Sequence, residues 1–167
     1  MIPRTLFSPE HELFRQSVRT FLEKDAAPFH GQWEKQGYID RKLWSKAGEA
    51  GMLCSHLPEA YGGLGADFLY SAVVIEEISR LGLTGIGFSL HSDIVAPYIL
   101  HYGSEALKHK YLPKLISGEM VTAIAMTEPG AGSDLQGVKT SAVLDGDEYV
   151  INRSEEHTSE LQSHHDL

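Results

Sequence analysis

The chain has 167 residues, 42% hydrophobic and 22% charged, enough for a buried core and too apolar for a disordered chain. Its formal net charge of −9, with no run of lysines and arginines to follow a phosphate backbone, argues against nucleic acid as a partner. No apolar stretch approaches the roughly 20 residues of a membrane span, and the lone Cys54 fits a reducing compartment.

In chain order, Ser8 is placed to cap a helix that opens at Pro9. Leu13, Phe14, Val18, Phe21 and Leu22 follow at helical spacing, and Pro28 is expected to end it near Ala27. A second helix is predicted from Arg41 to Ala50, carrying Leu43, Trp44 and Ala47 and stopped by Gly51. The segment "PEAYGGLGADF" reads as a loop. Tyr70, Val73, Val74, Ile78 and Leu81 then define a third helix, ended by Gly82. A more apolar stretch from about Gly87 to Tyr102 is expected to kink or break at Pro97. Ser104 caps a further helix, with Pro113 and Gly118 closing the helical part.

After Gly118 the periodicity changes. The short run from Val121 to Thr127 reads as a strand that feeds the turn Pro129-Gly130. "TSAVLDGDEYVIN" has β-rich arms around Asp145-Gly146, a hairpin signal. The predicted fold is mainly α: a bundle of about five to six helices over residues 1–119, then the first strands of a β domain over 120–152 that breaks off early.

Residues 153–167, "RSEEHTSELQSHHDL", hold almost no apolar side chains. His157, His164 and His165 are too poorly supported to be metal ligands. From Arg153 to Ser163 the string matches the translation of a sequencing adapter, so we expect the tail to be non-native and disordered. An independent genomic read encoding the same residues would contradict this. Without the tail, the net charge is −6.

The richest motif is "AIAMTEPGAGSDLQG". Gly130 and Gly132 allow unusual backbone and close approach of another group, while Thr127 and Ser133 offer hydroxyls that donate and accept. Such a loop behind a strand suits a planar or anionic ligand; an ordinary turn is the alternative. Cys54 reads as a small buried apolar residue, Glu128 as a structural acid, Glu76 and Glu77 as a solvated or partner-facing pair, and His91 and His101 as core or pocket-lining residues.

"AMTEPGAGSDLQGVKT" resembles the first signature of the acyl-CoA dehydrogenases, and residues 2–152 resemble the N-terminal part of that family. "FRQSVRTFLEK", "LPEAYGGLG", "VVIEEIS" and "GSEALKHKYLPKLISGE" carry the likeness further, with wording most similar to long-chain members. The resemblance implies an FAD-dependent oxidoreductase that converts an acyl-CoA thioester to the trans-2-enoyl-CoA in fatty-acid β-oxidation. It implies that Ile124, Ala125, Met126, Thr127, Gly132 and Ser133 line the flavin, with Ser133 also facing the substrate's CoA portion. The catalytic base is expected in a C-terminal region outside this chain, so the polypeptide as written should be inactive. A flavoprotein electron acceptor, a homo-oligomeric complete protein and a bacterial cytoplasmic location, or a mitochondrial matrix one, are further implications. An acyl-CoA oxidase fragment and a non-catalytic helical partner-binding module stand as alternatives.

Overall fold

The computed structural model describes residues 5–154. The chain divides into two compact units, with the boundary between Ala123 and Ile124. The first is helical: α1 (Pro9–Asp25), α2 (Ala27–Gln36), α3 (Arg41–Glu49), α4 (Phe68–Arg80), a π-helical turn (Leu90–Val95) running into α5 (Ala96–Tyr102), and α6 (Glu105–Ile116). The second holds one antiparallel hairpin, β1 (Ser141–Asp145) with β2 (Glu148–Asn152). This matches the expected mainly α architecture followed by a short β segment.

Helix α1 starts where the caps require. The Ser8 side chain accepts from the His11 amide, the His11 ring accepts from the Ser8 amide, and Pro9 sits where no helical N–H partner is needed. The other ring nitrogen, His11 Nε2, lies 3.2 Å from Asp67 Oδ1, and Asp67 caps α4. One histidine thereby joins the starts of α1 and α4. Between them Val18, Leu22, Val73 and Val74 enter a core completed by Trp33, Leu43, Trp44, Leu83 and Phe88. A smaller cluster of Cys54, Leu57, Ala96, Leu112 and Leu115 packs around α5 and α6.

The α1–α4 contact is also held by charge. Glu77, only 2% exposed, accepts from Arg15 Nη1 at 3.3 Å, from Arg19 Nε and Nη2 at 2.9 and 3.0 Å, and from Arg80 Nε at 2.7 Å. Hydrogen bonds from Arg19 first, then from Arg80 and Arg15, outweigh desolvation and bring its carboxyl down to about 2. Glu77 is therefore not the solvated acid expected from its neighbour in sequence. Adjacent residues on a helix point apart, so Glu77 turns inward while Glu76 meets Arg15 nearer the surface.

Three further sequence expectations change. Pro28 does not leave a gap after α1, since α2 begins at Ala27 and a proline in the first helical turn loses no hydrogen bond. Pro113 does not end α6, which continues to Ile116. The proline removes a single helical hydrogen bond, while Leu112 and Leu115 are fully buried around it. At Pro97 the expected break is present, since it sits near the start of α5, directly after the π-helical turn, in which the Ala96 N–H reaches back to His91 C=O. Residues 121–127 are not a strand: among the described residues no strand pairs with them, and side chains take some of their backbone groups. Thr122 N–H donates to His91 Nδ1, and the carbonyls of Ala125 and Thr127 accept from Arg153. The hairpin turns at Gly146-Asp147, with φ of 64° at Gly146, a conformation that suits glycine.

His91 is fully buried in the helical unit. Leu115 C=O lies 3.0 Å from Nε2, and the Thr122 amide donates to Nδ1. A carbonyl can only accept and an amide can only donate, so the ring is neutral with its proton on Nε2. Thr122 Oγ1, 3.0 Å from Nδ1, is a second donor to the same nitrogen. His91 is thus a core residue, as expected, whereas His101 is exposed near the end of α5. Cys54 is fully buried, and burial pushes its thiol up to about 12, which leaves no nucleophile at neutral pH.

Two outcomes follow. Glu77→Gln leaves three arginines facing a neutral amide and should lower unfolding free energy by about 2–3 kcal/mol, measured by urea denaturation at pH 7. In the parent the Glu77 contribution is present above the ordinary carboxylate range. It should be lost as pH falls from there toward about 2. Burial lowers the His91 pKa, so the unfolded chain binds more protons than the folded one below an unfolded value of about 6.5. Stability should fall as pH drops through that range, and His91→Phe should flatten that part of the profile.

Candidate functional site

The motif segment lies in the second unit and is built around Glu128. Its amide donates to Ala131 C=O at 3.1 Å and its carbonyl accepts from the Ala131 amide at 2.9 Å, which closes Pro129-Gly130 into a tight turn. Its side chain points inward, and the residue is 4% exposed. The carboxylate accepts from Lys139 N–H at 2.7 Å, from Thr140 N–H at 2.9 Å and from the Thr140 hydroxyl. The Thr140 hydroxyl first, then the Lys139 amide, holds this carboxyl below the usual carboxylate range. An acid so fully committed is a clamp between the turn and the start of the hairpin, and is a poor proton acceptor at neutral pH.

A short 3₁₀ turn follows at Leu135–Gly137, capped by Asp134 Oδ1 accepting from the Gln136 amide at 3.0 Å. Here the demanding glycine is Gly137. A Cβ there would sit 2.3 Å from Gly130 O, so only glycine lets the two loop strands approach. Gly130 and Gly132 do not use the left-handed backbone that their residue type permits. A Cβ at Gly132 would meet nothing within 4 Å, so the space beside it is open.

The six residues expected at the site are not all brought to one cavity. Ala125 and Met126 are exposed and border a pocket of about 300 Å³ with Leu135, Val138, Thr140 and Arg153. Ile124 and Thr127 are half-buried beside it in sequence, and Gly132 and Ser133 are exposed on the loop after the turn. Among the described residues the hydroxyls of Thr127 and Ser133 make no hydrogen bond, in contrast to those of Thr122 and Thr140. Sequence reasoning did not single out Lys139, Thr140 or Gly137. The "GVKT" ending of the motif was their only signal, and it gives no hint that two amides there serve Glu128.

Among the described residues no group of three histidines, cysteines or acids could hold a metal ion, and no helix is long and apolar enough to cross a membrane. The tail histidines 157, 164 and 165 lie outside the described residues.

A conserved-domain description, "Acyl-CoA dehydrogenase, N-terminal domain", matches residues 8–119, and the chain belongs to that family. Among particular relatives, it is 50% identical over 151 residues to the long-chain specific acyl-CoA dehydrogenase, mitochondrial, of Sus scrofa, covering 90% of this chain and 35% of that one. A probable acyl-CoA dehydrogenase of Bacillus subtilis is 41% identical over 148 residues, covering 87% of this chain and 25% of its own length. The crystal structure of acyl-CoA dehydrogenase from Geobacillus kaustophilus superposes with a TM-score of 0.85 at 52% identity, over 90% of this chain and 40% of that one. An acyl-CoA dehydrogenase of Bacillus anthracis complexed with FAD gives 0.81 at 38% identity, over 91% of this chain and 27% of its own. The chain thus spans about a third of the length of the long-chain relative from Sus scrofa.

Glu128→Ala should leave the Lys139 and Thr140 amides without their acceptor. Hydrogen exchange at both should accelerate by about tenfold or more, while exchange in α1 and α4 stays unchanged.

Proposed function

We propose that this chain is the N-terminal portion of an FAD-dependent acyl-CoA dehydrogenase that oxidises an acyl-CoA thioester to the trans-2-enoyl-CoA. The observation that carries the reading is the division of labour within residues 124–133. The acid is turned inward and saturated, while the hydroxyls of Thr127 and Ser133 are uncommitted and the space at Gly132 is open. That is the arrangement of a surface shaped to receive a ligand and not of a turn that serves itself alone.

On this reading Ile124, Ala125, Met126 and Thr127 line the flavin, Thr127 and the Met126 backbone meet the polar edge of its ring, and Gly132 and Ser133 face the flavin and the CoA portion of the substrate. FAD, when bound, supplies the hydride acceptor. What this chain contributes is orientation: a hydroxyl that donates or accepts as the ring edge requires, and a loop held at fixed shape by Glu128. Glu128 is not placed to take the substrate's α-proton, since it is held ionised and enclosed by its donors. The base belongs, in this proposal, to sequence beyond this chain, as do a flavoprotein electron acceptor's docking surface and the contacts of a homo-oligomer. Residues 1–119 and 120–152 are read as the helical domain and the opening of the β domain, and residues 153–167 as non-native. A bacterial cytoplasm or a mitochondrial matrix fits the same reading, and the Sus scrofa relative is named as mitochondrial.

The purified chain should show no acyl-CoA oxidation and should bind FAD weakly, as read from flavin absorbance after desalting. A yellow protein with turnover would overturn the second half of the proposal. In a full-length enzyme that carries this segment, Thr127→Val should weaken flavin affinity by about 1 kcal/mol, roughly fivefold in Kd. Unchanged affinity would remove Thr127 from the flavin contacts.

A further inference from the structure

Beneath the π-helical turn lies a polar enclosure that the dehydrogenase reading does not use. Ser92 and Asp93 both come from that turn and face inward. Ser92 is 5% exposed, its Oγ accepting from the Cys54 amide at 3.0 Å. Ser71 of α4, 6% exposed, lines the same small space as Asp93. One carboxylate oxygen, Asp93 Oδ1, is shut off from solvent and has no hydrogen-bond partner in the protein. His56 Nδ1 stands 4.0 Å from it, beyond hydrogen-bond reach, and both nitrogens of that ring are likewise buried and unpartnered.

Two facts make this arrangement specific. A buried carboxylate oxygen left unpaired costs more than a neutral group would, because desolvation penalises the charge. The same desolvation raises the Asp93 carboxyl above its ordinary range, against the opposing effects of the nearby Ser71 hydroxyl and His56. Next to Asp93 there is also a small cavity of about 10 Å³, walled by Ser71, Ser89 and Ser92 on its polar side and by Met52 and Phe88 on its apolar side. That volume accommodates about one water molecule, and a carboxylate with three serine hydroxyls supplies the two to four polar partners that hold a buried water in place.

We propose that this cavity binds one structural water, which donates to the Asp93 carboxylate and accepts from a serine hydroxyl, and which fastens the π-helical turn to α4. A π-helical turn carries an extra residue compared with the α-helix around it and is less stable by itself, so polar contacts on its inner face help to fix its register. The water gives the Asp93 carboxylate a donor from the inner side of the turn, so the 4.0 Å gap to His56 does not need to close.

The test is a crystal structure of the full chain at a resolution that shows ordered water, supported by water-to-amide cross-relaxation in solution. The expected result is one peak in the cavity, about 2.5–3.0 Å from an Asp93 oxygen and from at least one serine oxygen. A long-lived water cross-peak to the Ser92 or Asp93 amide should accompany it. Asp93→Asn retains an acceptor and should keep the water, whereas Asp93→Leu should abolish both peak and cross-peak. A dry cavity in the parent, or a side-chain shift that brings Asp93 into a direct bond with His56, would overturn the proposal. If Asp93→Leu fails to fold, the parent and Asp93→Asn suffice to decide, since the absence of the water from both is contradictory by itself.

Discussion

The helical unit turns on the neutral imidazole of His91. Its donor nitrogen serves Leu115 C=O near the end of α6, and its acceptor nitrogen takes the Thr122 amide. One ring in one tautomer therefore satisfies a helix-end carbonyl and a backbone amide that no strand partner reaches. Because the ring comes from the π-helical turn, it ties that turn, α6 and the exit segment together. Packing against Trp44, with ring centroids 5.3 Å apart, keeps the imidazole out of water and in its neutral form.

Two carboxylates show how environment, and not residue type, assigns a role. Glu77 is surrounded by three guanidinium groups and joins α1 to α4. Glu128 is surrounded by two amides and a hydroxyl and joins a turn to a hairpin. Both are held ionised by what they accept, and both are structural. The hydroxyls of Thr127 and Ser133 are the groups with bonding capacity to spare. The hairpin, too, leaves surface uncommitted, with Val143, Leu144, Tyr149, Val150 and Ile151 all exposed on its two faces.

Much of this was legible in the amino-acid order. Apolar spacing located α1, α3 and α4, Ser8 and Ser104 announced their caps, and Asp145-Gly146 announced the hairpin. The motif and its neighbours pointed to the family to which the chain belongs. What was not legible depends on contacts between residues far apart in sequence. Nothing in "VVIEEIS" says that Glu77 will meet Arg15 and Arg19, 62 and 58 residues away. Likewise "GVKT" does not reveal that its amides serve Glu128. Local signals also misled where tertiary burial prevailed, as at Pro113, and where a β-rich run lacked a strand partner, as at residues 121–127. The glycine argument also missed Gly137, where the approach of Gly130 O leaves no room for a Cβ.

We propose that residues 124–133 receive a flavin once the remainder of a dehydrogenase surrounds them. The most direct measurement is flavin content in a chimera that joins residues 1–152 of this chain to the rest of the Geobacillus kaustophilus enzyme. The account predicts about one flavin per chain, retained through gel filtration and bleached on addition of an acyl-CoA. A chimera that folds cooperatively and elutes as a defined species, yet carries no flavin, would contradict it.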